Sequence, residues 1–201
     1  MGKHDDIVKQ AKIINIATAA ALFTVGMLLL LPLMELNTEK TVIGGLCAAV
    51  GAAKIYGYFA NDLYRLAFQY DMAIGLYALI FSILFLVSPE RFNDIFSTAI
   101  GSYVLLEAVF KLQIAFDARR FGMRYWRLIL ITALTLCVIG VLTVISYYMD
   151  ELSEALFRAI ALMAVGAENA WITMYTVRVR THKKECFTDW LRQTALTEED
   201  A

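Results

Sequence analysis

Residues 102–116 read SYVLLEAVFKLQIAF, a helical run that is apolar on nearly every side yet holds Glu107 and Lys111 in its interior. The two charges stand four apart in the order that suits an ion pair along one helix face. If water surrounded this helix they would need no explanation. The rest of the chain removes that option. Sixty per cent of its 201 residues are hydrophobic, only two are proline, and the mean hydropathy is +0.61. An ordinary soluble domain is about half apolar.

Working outward, five further apolar stretches flank this one, giving 13–33, 41–60, 71–88, 95–116, 127–148 and 156–177. Each is near the roughly 20 residues that cross a hydrocarbon core. The reading is an all-α membrane protein of six transmembrane helices, with no stretch left over for a soluble domain. The first span is expected to remain in the mature chain: it is long, HDD at 4–6 precedes it, and no small-residue exit follows. Cys47, Cys137 and Cys186 show no paired spacing, so neither a disulfide nor a metal framework is expected.

The net charge of −1 conceals an asymmetry. Lys3, Lys9, Lys12, Arg65, Arg119, Arg120, Arg124, Arg127 and the basic tail fall on one side of the expected membrane. Lys40 and Arg91 fall on the other, with Arg158 near its edge, among Glu35, Glu39, Glu90, Asp94, Asp150, Glu151 and Glu154. Because Lys and Arg collect in cytoplasmic loops, both termini are expected in the cytoplasm.

Pro32 and Pro89 stand 57 residues apart, and the same interval carries Gly44 to Gly101 and Lys54 to Lys111. Doubled, it carries Gly26 to Gly140; extended to the third copy, it places Ser146, Arg158 and Glu168 where proline, glycine and lysine stood. A fixed period of this size marks duplicated units. Three tandem parallel hairpins are expected, about 13–65, 70–122 and 127–179, in a pseudo-threefold arrangement, followed by a tail over 180–201. Small residues line the second helix (Gly44, Ala48, Ala52) and the sixth (Ala155, Ala159, Gly166), so the even-numbered helices are expected to form the inner ring.

The interval gathers the intramembrane charges as one candidate cluster: Lys54, Glu107, Lys111 and Glu168, with Asn169 and Gln113 as hydrogen-bonding neighbours. Charges at mid-bilayer cost several kcal/mol and turn toward the bundle interior, a partner or water. Two readings of the lysines stay open. They lie roughly 9 Å from their helix ends at 1.5 Å per residue, within reach of snorkelling to the interface. The shorter glutamates lack that escape, so Glu107 and Glu168 are the stronger functional candidates.

The three copies, with Gly26 to Pro32, Ser82 to Pro89 and Gly140 in their first helices and Gly44 and Gly101 in their second, resemble the HdeD family of acid-resistance membrane proteins over about 13–178. The resemblance implies a six-helix inner-membrane protein, linked in some members to survival of acid stress, and brings no catalytic residues. The third copy departs from the pattern at Ser146 and Arg158.

No phosphate-binding, dinucleotide, zinc-protease or nucleophile-elbow motif occurs, and His4 and His182 lie in opposite tails. Enzyme chemistry and cofactors are therefore not expected. The run RVRTHKK at 178–184 suits topology and anionic lipid rather than nucleic acid. Phe187, Trp190, Leu191 and Leu196 could lie on the membrane surface, and Tyr125 and Trp126 read as interfacial anchors. The expected partners are membrane lipid and a second copy of the chain. Two functions remain: a non-enzymatic stress-tolerance protein, or a small channel or transporter for protons or a small solute lined by the charges.

Overall fold

The computed structural model describes residues 2–31, 36–59, 70–92, 95–120 and 125–174, with residues 2–9 as backbone alone. The basic run, the amphipathic tail segment, Cys186, Pro32 and Arg65 lie outside the described residues. Six helices account for nearly all of the rest: α1 (Gly2–Leu29), α2 (Leu36–Phe59), α3 (Asp71–Val87), α4 (Phe96–Arg120), α5 (Trp126–Ile145) and α6 (Glu151–Met174). Among the described residues there is no strand.

Proline-free runs of Leu, Ala, Ile and Val propagate these helices, and local chemistry stops them. At the end of α3 the Ser88 backbone N–H still reaches Leu84 O at 3.2 Å, and then Pro89, which has no N–H to give, opens a 3-10 turn over Pro89–Phe92. Fifty-seven residues later another 3-10 turn, Ser146–Tyr148, follows α5, with the Ser146 hydroxyl returned to Thr143 O at 2.7 Å.

Among the described residues five helices, rather than the six expected, are both long and apolar enough to cross a membrane; α3 has 17 residues. At 1.5 Å per residue α3 covers about 25 Å, the short limit of a span. The outward faces are rich in aliphatic residues such as Ile13, Leu76, Ile83, Ile131 and Val138, all more than half exposed. In water so large an apolar surface would drive association, whereas hydrocarbon accepts it without cost.

Burial separates inner helices from outer ones. The most apolar stretches of α2, α4 and α6 are 44, 56 and 44 % buried, against 17 % in α1 and 28 % in α5. The helices pack most closely as antiparallel pairs, and glycine sets the approach. A methyl group added to Gly51 of α2 would stand 2.8 Å from Gly75 O of α3. One on Gly101 of α4 would stand 3.0 Å from Gly140 O of α5, and one on Gly166 of α6 2.7 Å from Ala19 O of α1. In each case the close partner lies outside the expected hairpin, and α4 lies against α5 far more extensively than against α3. Lacking a hydrophobic drive between helices, a bundle in lipid relies on such backbone contact.

Two ends of the bundle are named below by their landmarks. The proline end holds Pro89 and Ser146, and the arginine end holds Arg119 and Arg120.

Candidate functional site

Glu107 lies at the centre of the site. Its position on α4 faces α2 and α6, and it is fully buried. Oε1 takes Lys54 Nζ of α2 at 3.1 Å, the Tyr103 hydroxyl at 2.9 Å and Asn169 Nδ2 of α6 at 3.3 Å. Oε2 faces Lys111 Nζ at 3.1 Å, an ion contact without the alignment of a hydrogen bond. Lys111, one turn further along, donates to Glu168 Oε2 of α6 at 3.1 Å, and Lys54 donates to Asp71 Oδ1, the first residue of α3, at 3.1 Å. The chain Asp71–Lys54–Glu107–Lys111–Glu168 thus ties four helices together, with each member at most 7 % exposed.

Both lysines turn inward, so snorkelling does not describe them. Gln113 is exposed and stands apart from the cluster. Two residues beyond Lys111, at 3.6 residues per turn, it points roughly 200° away from it.

The charges do not balance. Lys54 and Lys111 face three carboxyl groups, Asp71, Glu107 and Glu168, so the fully ionised set carries −1. Glu168 Oε1 is buried and has no hydrogen-bond partner among the described residues. Beside the network is a cavity of about 40 Å³ lined by Asn15, Thr18, Lys54, Asp71, Glu107 and Lys111, reaching half-buried Tyr70 and Thr173 toward the arginine end. A water needs about 10–15 Å³ on this measure and two to four polar partners, so the cavity has room and partners for water.

At the proline end the chemistry is closed. Arg158 of α6, 4 % exposed, grips Glu39 of α2 with two bonds, Nε to Oε1 at 2.9 Å and Nη2 to Oε2 at 3.2 Å. Its Nη1 reaches Ser97 Oγ of α4 at 2.9 Å and Glu154 Oε1 at 3.0 Å, the Ser97 hydroxyl itself donates to Glu154, and the guanidinium lies 5.1 Å from the centre of the Phe96 ring. Buried Lys40 stands beside Glu39 and donates to Asn37 Oδ1 at 3.2 Å. Planar bidentate pairing is the strongest arrangement open to arginine. Ile43, Val50, Val104, Leu162 and Val165 lie between the two networks along α2, α4 and α6, and all are buried in the apolar core.

Sequence reasoning missed part of this. Asp71, which opens an apolar run, and Tyr103, one turn before Glu107, are absent from the sequence-predicted cluster. Arg158 and Glu39 were expected as loop-side charges, whereas the structure buries both. A signal for Arg158 existed, since it occupies the register of the buried Gly44 and Gly101. Cys47 and Cys137 are free thiols. Trp126 is flanked by two arginines, Arg119 at 5.0 Å and Arg127 at 5.6 Å from its ring, as suits an interfacial aromatic.

Comparison with known proteins gives one match. Residues 73–145, from α3 through α5, match a family described as a short repeat of unknown function (DUF308), which covers a little over a third of the chain. No curated protein and no solved structure matches. Fold and match together describe a multi-pass membrane protein, all-helical among the described residues, whose central helices are similar to the DUF308 repeat.

Proposed function

We propose that the chain is a non-enzymatic inner-membrane protein of the HdeD type that serves acid or envelope stress tolerance, with both termini cytoplasmic and a charge network that responds to protons without conducting them. The observation that carries this reading is the odd charge count. Three carboxyl groups against two ammonium groups leave one negative charge, which a single proton or cation brings to neutrality. A uniformly paired cross-link would have no such vacancy.

The one-sided surroundings support response over conduction. A water-sized cavity approaches the network from the arginine end, while apolar side chains and the Arg158 network fill the path toward the proline end. The proposed architecture is three tandem hairpins about a pseudo-threefold axis. Recurrence of the 3-10 turns at Pro89 and Ser146, and bonds between positions 57 apart, Lys111 to Glu168 and Ser97 to Glu154, support it.

The test pairs two measurements on the full chain in liposomes. Tryptophan fluorescence should change reversibly between neutral and acid pH and lose that change in Glu107→Gln and Glu168→Gln, while proton flux stays at the level of empty vesicles. Sustained flux that disappears with the glutamates would replace this reading with a channel or transporter. A fluorescence response identical in wild type and both variants would remove the network from the mechanism.

A further inference from the structure

The arginine end carries two charges that the networks inside the bundle leave unexplained. Arg119, in the last turn of α4, and Arg127, in the first turn of α5, are both exposed, and neither has a carboxylate partner among the described residues. Yet they converge on one ring, their guanidinium carbons 5.0 and 5.6 Å from the centre of the Trp126 indole. That ring is held in place. It packs on the buried cluster of Ala115, Ala118 and Ile129, which fixes it as a platform between the two helices.

The cytoplasmic bias of arginine explains where such charges stand along a chain, not why two of them meet. Held over the same indole with no anion between them they repel, and the positive end of the α5 dipole adds to that potential. Cation–π attraction orients each guanidinium and leaves its N–H fork to donate elsewhere. The arrangement lacks an anion with several oxygen acceptors, and phosphate is the group a planar fork grips best.

What lies below the pair selects the carrier of that phosphate. Phe116, one turn before Arg119, and Ile131, one turn after Arg127, are 51 and 58 % exposed. Because α4 ends and α5 begins at this end, each lies about 5 Å deeper in the membrane than the arginine on the same helix face. Charge above and apolar tracks below follow the order of a phospholipid, headgroup outside and acyl chains inside. A soluble phosphate would leave the tracks empty, and a zwitterionic lipid would bring its own cation against the arginines.

We propose that Arg119, Trp126 and Arg127 form a binding site for the phosphodiester of an anionic phospholipid in the leaflet at the arginine end, its acyl chains running along Phe116 and Ile131. The site uses none of the groups in the charge network, so it stands or falls apart from the proton-response reading.

The full chain is released from nanodiscs holding equal amounts of phosphatidylglycerol and phosphatidylcholine, and the lipids retained on it are counted by native mass spectrometry. Retention should favour phosphatidylglycerol at least about tenfold, and Arg119→Gln or Arg127→Gln should each lower that preference about fivefold. Arg120→Gln removes an equal charge from the same helix end, but the Arg120 side chain is 83 % exposed and already faces Asp117 at 3.7 Å; the preference should change less than about twofold. Each of these side chains is exposed, so the variants should elute as the wild type does in size exclusion. Millimolar inorganic phosphate should not displace the lipid. An equal loss in Arg120→Gln would reduce the preference to the diffuse field of the basic end and overturn the proposal. So would equal retention of the two lipids, a preference unchanged in both Arg119→Gln and Arg127→Gln, or displacement by inorganic phosphate, which would make the pair a site for free anions.

Discussion

If the network is limited by charge, removing a lysine must cost more than removing the most buried carboxylate. Glu107 is fully buried and touches four side chains, so contacts alone make Glu107→Gln the worst substitution in the cluster. Charge counting reverses the order. Gln keeps the volume and an acceptor for Tyr103 and Asn169, and leaves Lys54 with Asp71 and Lys111 with Glu168, each at 3.1 Å. The set then falls from −1 to zero. The expected loss is no more than about 2 kcal/mol, the value of one hydrogen bond to a charged group. Lys111→Met strips Glu107 Oε2 and Glu168 Oε2 of their cation and drives the set to −2. Breaking a buried ion pair from one side costs about 3–5 kcal/mol. The two variants should thus differ by at least a factor of about five in unfolding constant. Reversible unfolding by sodium dodecyl sulfate in mixed micelles, followed by tryptophan fluorescence, gives both values. Lys111→Met at least as stable as Glu107→Gln would refute the count of ionised groups on which the proposed function rests.

Other substitutions test the remaining parts of the structure. Gly140→Ala places a methyl 2.8 Å from Leu105 and 3.2 Å from the Leu105 backbone nitrogen; an overpacking loss of about 1–3 kcal/mol is expected in the same unfolding assay. Arg158→Lys keeps the charge but loses the two-pronged grip on Glu39, and should destabilise by about 2 kcal/mol while leaving the pH response of the other network in place. Asp150, outside the spans, receives the Ser153 hydroxyl at 2.8 Å and the Ser153 backbone N–H at 3.1 Å, which hold its carboxyl below the usual range. A depressed carboxyl stabilises above its unfolded pKa of about 3.9 and loses that contribution as pH falls through its folded value; carbon-13 chemical shifts of the labelled side chain should titrate below the free amino acid. Glu168→Lys alone should abolish folded expression, and adding Lys111→Glu should not restore it, because a carboxylate at 111 would stand against Glu107 Oε2, as read by size exclusion in detergent.

What could be read from the residues depended on whether a position's meaning is local. Glu107 and Lys111 declare themselves because they are one helical turn apart in an apolar run, and the 57-residue interval extends the reading to Lys54 and Glu168. Asp71 resists because an acid at a helix N-terminus is favoured by the helix dipole and needs no buried partner. Its role becomes visible only when α2 brings Lys54 across. Arg158 and Glu39 sit within two turns of their helix ends, where a charge ordinarily meets water, so burial at 4 and 6 % had no local signature. The helix pairing was hidden for a related reason. Gly51, Gly101 and Gly166 announce that a backbone will come close, but nothing in a glycine names the partner, and each partner lies outside the glycine's own expected hairpin.

The departures of the third copy then acquire a physical cause. In the proposed arrangement, duplicated hairpins around an axis bring equivalent positions near one another, and identical charges there would repel across a few ångströms of low-dielectric interior. Lys54 and Lys111 are such equivalents; with a lysine at 168 as well, three ammonium groups would face only Asp71 and Glu107. Glutamate at that position instead gives Lys111 a partner 57 residues away. The outer network follows the same logic: Lys40, Ser97 and Glu154 are equivalents of three different charges, and the register that holds glycine at 44 and 101 holds Arg158 in the third copy. Residues that weaken the repeat as a pattern are therefore the ones that close the bundle along its axis. Because Arg158 holds Glu39 with two bonds and reaches Ser97, while the inner set has three carboxyl groups for two lysines, the proposed change in protonation at the inner end would alter its pairing with α2, α4 and α6 still joined by Arg158.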